Sequence, residues 1–519
     1  EMAPESALKQ MDNGKFEEVE VDDVDEGDIL LVKTGAKVPV DGTVLMGEGH
    51  INEASITGEA VPVNKLADAE VFAGTILENG TIQIRADRVG EDTTFGKIIE
   101  LVEEAQDSKS EAERFIDRFS KYYTPAVLVL AIVVWAFSQN IELAITILVL
   151  GCPGALVIGV PVSNVAGIGN GARNGVLLKG SEVIQDFSNV DTIVFDKTGT
   201  LTVGNPTVAA TELYEKDSAE TLGYLASVEW ESDHPLAKAV LNQIGETNFY
   251  PVEGTEVVKG GGIVSSVAGH RVAVGNVALM EKENVTLSKK VQKDVKRFEQ
   301  QGNSLVLTAV DGELKVLMGI RDQVRPGVKA NLQELKDLGV KNLVVLSGDN
   351  QGTVDVVAGE LGLTEAHGHM LPEDKAAYIG KLQQRGQIVA FVGDGVNDSP
   401  SLALADIGIA MGSGTDVAIE TSDVVLMNSN FSNLPHALGL VKATANNMKQ
   451  NIVISIGVVL VLLTSVFFSE WMNMSIGMLV HEGSILVVIF NGMRLMKYKL
   501  KGRKEQKEVS TPVEKVKIS

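Results

Sequence analysis

Four long apolar runs constrain this chain more than any other feature. YYTPAVLVLAIVVWAFS ends at Ser138, and after Gln139 and Asn140 comes IELAITILVLGCPGALVIGVPV, 141–162. Further on lie NIVISIGVVLVLLTSVFFS, 451–469, and MSIGMLVHEGSILVVIFNGMRLM, 474–496. Each is near the roughly 20 residues that a membrane helix needs. Runs this long with so few charges suit lipid better than the interior of a large soluble protein. Two hairpins return the chain to its starting side, so the long polar segments share one face. Arg494, Lys497, Lys499, Lys501, Arg503 and Lys504 follow the last run, a basic flank expected on the cytoplasmic side.

The polar remainder is charged and glycine-rich. With 45 Lys+Arg against 69 Asp+Glu the net charge is −24, which argues against nucleic acid as the main partner, because a phosphate backbone demands a basic footprint. The single cysteine, Cys152, excludes a disulfide framework and a Cys-rich zinc ribbon. Short loops and sparse cysteine point to a bacterial plasma membrane. Residues 16–95 read as short strands separated by Gly, Asp and Asn turns, a β-rich domain. Residues 96–121 read as a charged helical stalk. From 190 onward, apolar strands end in polar loops (DTIVFDKTGT, NLVVLSGDN, QIVAFVGDGVND) and alternate with helical stretches. That alternation predicts a parallel α/β sheet with its chemistry at the carboxyl ends of the strands. Residues 205–319 carry strands of their own and interrupt the sheet after its first strand, as an inserted domain would.

Those loops hold the reactive groups. Asp196 ends a buried strand, and a carboxylate so placed can attack phosphorus to form an aspartyl-phosphate. An anion attacking an anion needs neutralisation. Asp394 and Asp398 of VGDGVND suit Mg²⁺, a hard ion that prefers oxygen. Lys375 of LPEDK can reach a phosphoryl oxygen, and Ser347 with the amide of Gly348 can bind another. Asp349 of the same loop and Asn397 of VGDGVND complete the candidate catalytic set. Three acidic loops, each closing an apolar strand, make a coincidence of ordinary turns improbable.

DKTGT, SGDN, PEDK and GDGVNDSP, with TGEAVP before the first apolar hairpin, resemble the P-type ATPases from roughly residue 7 to 498. The resemblance implies a multidomain membrane protein. It would have a β-rich actuator domain (1–95), a helical stalk (96–121) and transmembrane hairpins at 122–168 and 446–500. An α/β, HAD-like phosphorylation domain (180–204 and 320–445) would carry an inserted α+β nucleotide-binding domain (205–319). A basic cytoplasmic tail, 501–519, would end the chain. It further implies that ATP phosphorylates Asp196, that Thr198 assists Mg²⁺ binding, and that Glu59 of the TGE loop positions the water that hydrolyses the phosphoenzyme. Ser347 replaces the family's usual Thr and keeps the hydroxyl. In the inserted domain, SVEWESDHPLAKAV followed by KGGG and VGN is similar to the adenine site of the heavy-metal-transporting class. By that resemblance Glu229, His234, Pro235, Gly260, Gly262, Gly275 and Asn276 bind ATP.

The transported ion is read from the second and fourth runs. Pro153 removes a backbone hydrogen bond and crowds the Val149 carbonyl. Irregular backbone is tolerated at membrane depth only where it lines a cavity or meets a ligand. Cys152 beside it is a candidate metal ligand, although a buried cysteine can also be a small hydrophobe. It matches one arm of the class's Cys-Pro-Cys type triplet, and Gly154 removes the second thiolate. His481 and Glu482 lie seven residues, roughly 10 Å, inside their helix, where an ionised side chain costs roughly 2.5–3.5 kcal/mol to insert. HEGS, which includes Ser484, resembles the element of the divalent-metal branch. One sulfur, an imidazole and a carboxylate form a borderline-hard set for Zn²⁺, Cd²⁺, Co²⁺, Fe²⁺ or Mn²⁺, whereas Cu⁺ prefers two thiolates. Ser163, Asn491 and Met478 serve either as further ligands or as ordinary helix packing.

The expected activity is therefore ATP-driven transport of a divalent metal out of the cytoplasm, in a lipid bilayer. The rivals are a pump for Cu⁺ or Ca²⁺, a soluble phosphatase or phosphotransferase, and a non-catalytic regulatory protein. Members of the class normally carry more membrane helices before the TGE domain. The reading is therefore of an N-terminally truncated chain, or one whose missing helices a separate polypeptide supplies.

Overall fold

The computed structural model describes residues 4–53, 62–97, 99–100, 111–232, 235–394, 398–412, 422–469 and 471–500. The first domain is a seven-stranded sheet: β1 (Ser6–Gln10), β2 (Phe16–Glu20), β3 (Ile29–Val32), β4 (Asp41–Asn52), β5 (Val63–Lys65), β6 (Glu70–Val71) and β7 (Ile76–Arg88). Alternation places Val44 and Ile51 of β4 and Leu77, Ile82 and Ile84 of β7 in one closed apolar core. Asp41, buried in that domain, accepts from the amides of Ala73 (2.9 Å) and Thr94 (2.6 Å), tying the sheet to the segment that leads to the membrane.

Helix α1 (Glu111–Ser138) runs through the stalk into the first span without a break, despite Pro125. The second span is two helices, α2 (Ile141–Leu150) and α3 (Gly154–Arg173), interrupted at Gly151-Cys152-Pro153. Pro153 has no amide to continue α2, and its carbonyl instead starts α3 by accepting from Leu156 and Val157, both at 3.1 Å. From Arg173 the chain enters β8 (Val176–Leu178), then α4 (Ser181–Ser188) and β9 (Thr192–Asp196).

The inserted domain follows: β10 (Thr207–Leu213), α5 (Ala219–Trp230), α6 (Pro235–Ile244), β11 (Val252–Val258), β12 (Gly262–Val267), β13 (His270–Gly275), α7 (Val277–Lys282), α8 (Lys289–Gln300), β14 (Ser304–Val310) and β15 (Glu313–Arg321). Its strands form one antiparallel sheet in the order β10-β15-β14-β13-β12-β11. The chain then completes the α/β domain with α9 (Val328–Asp337), β16 (Asn342–Leu346), α10 (Gln351–Leu361), β17 (Glu365–His367), α11 (Pro372–Gln384), β18 (Val389–Gly393), α12 (Ser399–Leu404), β19 (Ile407–Gly412) and β20 (Val424–Met427).

The α/β sheet runs β17-β16-β9-β18-β19-β20-β8, parallel except where β8 lies antiparallel on β20. β9 sits between β16 and β18, so Asp196 ends a strand at a point where the strand order reverses, the position at which open α/β sheets bind ligands. The first strand of this domain in sequence is β8, which precedes the boundary expected at 180.

Helix α13 (Asn433–Phe468) is one 36-residue helix that leaves the α/β domain and crosses the membrane, and α14 (Met474–Met493) returns. No Gly or Pro stop separates the two parts of α13, so the boundary expected at 446 lies inside a continuous helix. The protein is a multi-pass membrane protein: among the described residues the helices long and apolar enough to cross a bilayer lie within Ala112–Ser138, Ile141–Arg173, Asn433–Phe468 and Met474–Lys497. Val129, Ile132, Leu460 and Leu479 are exposed on them, as lipid-facing side chains would be. One apolar cluster joins Leu156, Val160 and Ile168 of α3 to Ile184 and Phe195 of the α/β domain and to Leu434 and Leu438 of α13.

Candidate phosphorylation, nucleotide and metal sites

Asp196 is buried at the end of β9, and the loop beyond it turns through Gly199 in a left-handed conformation (φ 78°) that favours glycine. Lys375 reaches it from the first turn of α11. Pro372 opens that helix and Asp374 caps it by accepting from the Leu371 amide (3.0 Å), which fixes the direction of Lys375. The Lys375 ammonium donates to Asp196 Oδ1 (3.0 Å) and Asp398 Oδ1 (3.3 Å), and all three side chains are almost fully buried. Burial, and then the neighbouring Asp398 carboxylate, hold the Asp196 carboxyl well above the usual range, with Lys375 acting against them. Burial alone would lower Lys375, but the two carboxylates outweigh it and raise it.

The strand register places Leu346 beside Asp196, so Ser347, Gly348 and Asp349 follow immediately beyond the nucleophile. The Ser347 hydroxyl accepts from the Asp349 amide (3.1 Å), and Asp349 pairs with the buried ammonium of Lys197. Thr198 is exposed on the loop. The Asp394 carboxylate lies 3.7 Å from where a Cβ on Gly199 would stand, against the same loop. Asp398 Oδ2 is buried and makes no hydrogen bond among the described residues. Two buried carboxylates with one ammonium leave an excess of negative charge, and the open lone pairs of Asp398 suit a hard cation such as Mg²⁺. Asn397 and Glu59 lie outside the described residues.

Sequence reasoning missed two residues that hold this centre together. Arg325 donates from Nη2 to the Gly199 carbonyl (2.7 Å) and from Nε to that of Thr200 (2.9 Å), both in the Asp196 loop, and from Nη1 to that of Ser429 (3.0 Å) just beyond β20. Asp322 accepts from Thr202 Oγ1 and from the amides of Gly204 and Asn205, pinning together the two strands of chain that lead into and out of the inserted domain. RDQVRP, which places Asp322 just after a strand and Arg325 directly before Pro326, was the available signal.

In the inserted domain Glu229 is buried near the end of α5, and burial pushes its carboxyl up to about 7. Gly262 and Gly275 face each other across the β12–β13 ladder. A Cβ on Gly262 would stand 2.1 Å from the Val274 carbonyl oxygen, and Gly262 has φ 144°, so only glycine fits. Asn276 caps α7 through the Leu279 amide (3.0 Å) and donates to the Gly260 carbonyl (2.7 Å), so its amide shapes the glycine loop. Lys259 of that loop pairs with Glu373, bringing it against the start of α11 and hence towards Lys375. Pro235 opens α6, while His234 lies outside the described residues.

In the membrane, Cys152 occupies the break between α2 and α3 with its side chain exposed. The Cys152 carbonyl, which has no helical partner at this break, is not vacant: His481 Nε2 donates to it at 2.9 Å. A Cβ on Gly154 would lie 3.3 Å from His481 Cε1 and 3.5 Å from Nε2. The imidazole thus packs tightly against the place where a second cysteine's side chain would begin. Glu482 lies on an exposed face, its Oε1 3.6 Å from His481 Nδ1, and the Ser484 hydroxyl is spent on its own helix, donating to the His481 carbonyl (2.6 Å). Among the described residues no three His, Cys, Asp or Glu side chains converge closely enough to hold a metal. His481 meets the Cys152 backbone carbonyl, the Glu482 carboxylate stands beside His481 Nδ1, and the Ser484 hydroxyl turns back onto its own helix. Ser163 and Asn491 are buried or half-buried in hydrogen bonds between helices, and Met478 is exposed.

Residues 1–103 match the P-type ATPase actuator domain, and residues 190–406 match the haloacid dehalogenase-like hydrolases. A probable cadmium-transporting ATPase of Staphylococcus aureus (strain MRSA252) is 38% identical over 516 residues, which are 96% of this chain and 71% of that protein. The chain belongs to the heavy-metal-transporting P-type ATPases. A crystal structure of a zinc-transporting PIB-type ATPase in the E2.Pi state superposes with a TM-score of 0.58 at 34% identity, covering 95% of this chain and 82% of that one. A copper-exporting P-type ATPase of Staphylococcus aureus (strain Newman) is 40% identical over 446 residues, but these cover only 84% of this chain and 55% of that protein. Like the rest of its class, this P-type ATPase couples ATP hydrolysis to translocation of a heavy-metal cation, and relatives of the divalent branch match over 95–96% of the chain. A soluble phosphatase is excluded by the membrane helices and the actuator domain together.

Proposed function

We propose that this ATPase exports a divalent transition metal of the zinc and cadmium class from the cytoplasm, with Cys152 and His481 as the core of its membrane site. The observation that carries the reading is the meeting of the lone thiol's helix break with an intramembrane imidazole, 2.9 Å from carbonyl to ring nitrogen. Imidazole with one sulfur favours Zn²⁺-like ions over Cu⁺. The relatives that match over 96% of the chain are cadmium-transporting, and a zinc transporter shares its architecture.

ATP enters the inserted domain against Glu229, His234 and the glycine loop of Gly260, Gly262, Gly275 and Asn276. An Asp196 oxygen attacks the γ-phosphorus, the bond to the β-phosphate oxygen breaks, and ADP leaves. Lys375 balances the charge of attacking carboxylate and phosphoryl group, and Ser347 with the Gly348 amide receives a phosphoryl oxygen. Asp196, Thr198, Asp394 and Asp398 would hold Mg²⁺, which would supply further positive charge to the phosphoryl oxygens. Water positioned by Glu59 then attacks phosphorus, releasing inorganic phosphate and restoring the Asp196 carboxylate.

Coupling runs through covalent and packed connections. Helix α3 begins at the Cys152 break and ends in β8, a strand of the sheet that carries Asp196, and α13 leaves the same domain as a continuous helix. The cation must be held differently in the two phosphorylation states, or phosphorylation could move nothing. The test is ATP hydrolysis by the chain in lipid across Mn²⁺, Fe²⁺, Co²⁺, Zn²⁺, Cd²⁺ and Cu⁺. Zn²⁺ and Cd²⁺ stimulate, and Cys152→Ala and His481→Ala abolish the stimulation. Stimulation by Cu⁺ alone overturns the ligand assignment.

A further inference from the structure

We infer that Asn451, in the membrane part of α13, is a positioning residue for the metal site, locking together at one depth α3, which begins just after Cys152, and α14, which carries His481. The inference rests on the reading of those two residues as metal ligands. Asn451 is fully buried, and it touches both helices at once. Its Nδ2 faces the Gly159 carbonyl (2.8 Å) and Ser163 Oγ (3.1 Å) on α3, and the Val488 carbonyl (3.2 Å) on α14. Its Oδ1 accepts from Asn491 Nδ2 on α14 at 2.9 Å.

The network closes on itself. Ser163 Oγ donates to Asn447 Oδ1 (2.7 Å), and Asn447 Nδ2 donates to the Asn491 carbonyl (2.8 Å), one turn earlier on α13. Gly159 makes the three-helix crossing close enough for one side chain to span it. A Cβ there would stand 3.1 Å from Asn451 Cβ and 3.2 Å from Val488 Cβ. Small residues at such crossings allow close approach, and amide side chains bond across them.

The spacing gives the network its purpose. Gly159 follows Cys152 by seven residues, and Val488 follows His481 by seven. α3 and α14 both run towards the headpiece, so similar offsets from one clamp bring Cys152, just before α3, and His481 to about the same level, where the imidazole meets the Cys152 carbonyl. Slippage of either helix by one residue would shift its ligand by about 1.5 Å along the axis and about 100° around it. Either motion separates the pair. Asn451 itself lies about two turns from both ligands and does not touch the metal.

The experiment uses the full chain in lipid, with Co²⁺ as the probe. Asn451→Leu keeps the side chain's size and removes its hydrogen bonds. It is expected to raise the half-saturating Co²⁺ for ATPase stimulation at least tenfold. It should lower the rate at saturating Co²⁺ less than threefold and change the intensity of the bound ion's visible d–d bands. Labelling of Asp196 by inorganic phosphate in chelator, which needs a folded headpiece but no cation, is expected to persist. Half-saturation within twofold of the parent with a superimposable Co²⁺ spectrum overturns the inference. Should Asn451→Leu lose the inorganic-phosphate label, Ser163→Ala decides. It removes one bond of the ring and is expected to shift half-saturation two- to fivefold, and no shift overturns the inference. Cys152→Ala runs alongside: an unchanged Co²⁺ spectrum there removes the ligand reading itself, whereas a changed one beside an unaltered Asn451→Leu removes only the clamp.

Discussion

Replacing Lys375 with Met takes away the ammonium that bridges two buried carboxylates. Its Nζ lies 3.0 Å from Asp196 and 3.3 Å from Asp398. With an effective dielectric of about 20, each of those contacts is an attraction of about 5 kcal/mol. Much of that is offset by the several kcal/mol needed to take the ammonium out of water. What the transition state loses is one fixed donor to developing charge, about 3–4 kcal/mol, or a factor of 10²–10³ in rate. A second effect adds to the first. Burial and Asp398 already hold the Asp196 carboxyl high, and without the opposing ammonium it rises further, so less of it is ionised at neutral pH. Because only the carboxylate attacks, the variant's rate should keep climbing with pH after the parent's has levelled. The assay is rapid-quench formation of acid-stable phosphoenzyme from γ-labelled ATP at saturating Mg²⁺ and transported cation. A rate within fivefold of the parent at pH 7, with the same pH profile, would refute the role given to Lys375.

Three further outcomes follow from the geometry. Asp398→Asn removes the charge of a buried carboxylate whose Oδ2 has no hydrogen-bond partner among the described residues, so the Mg²⁺ needed for half-maximal phosphorylation should rise at least tenfold, read by Mg²⁺ titration; an unchanged titration would show that this carboxylate serves no ion. Glu229 is held at about 7 against an ordinary 4.5, so the folded state binds its proton more tightly than the unfolded chain, and stability falls as pH rises from about 4.5 to 7. Glu229→Gln mimics the neutral acid, so by calorimetry it should stabilise the nucleotide-binding domain at pH 8, by up to about 3 kcal/mol, and change little near pH 4.5; equal shifts at both would contradict the burial argument. Arg325→Lys keeps the charge but cannot donate to three carbonyls in one fork, so phosphoenzyme formation should slow by about 10–10²-fold, and an unaltered rate would remove Arg325 from the centre's support.

Much of this was legible in the sequence, for identifiable reasons. A span announces itself because lipid demands about 20 apolar residues in a row, and a strand ending in DKTGT, SGD or GDGVND marks its own catalytic end. What was hidden depends on contacts between distant residues. Asn451 reaches Gly159 across 292 positions, and in one sequence it looks like any polar residue at the start of a span. Gly154 reads as a lost thiolate, and only the fold reveals His481 in the space that a larger residue would contest. Glu482 reads as a ligand because an ionisable side chain inside a span is costly to insert; the fold keeps its carboxylate 3.6 Å from His481 Nδ1 while leaving it largely exposed, a placement that depends on packing the sequence does not show. The boundary drawn at 446 followed a change in hydrophobicity that the helix itself ignores.

The central claim, that a cation in the membrane governs chemistry at Asp196, is tested most directly by counting label. The intact chain in lipid is mixed with γ-labelled ATP, with Zn²⁺ or Cd²⁺ and separately with chelator, and acid-stable phosphate on the protein is measured. The account predicts label with either cation, almost none with chelator, and none in Asp196→Asn or Cys152→Ala. Equal labelling of the parent with chelator and with every cation would contradict it.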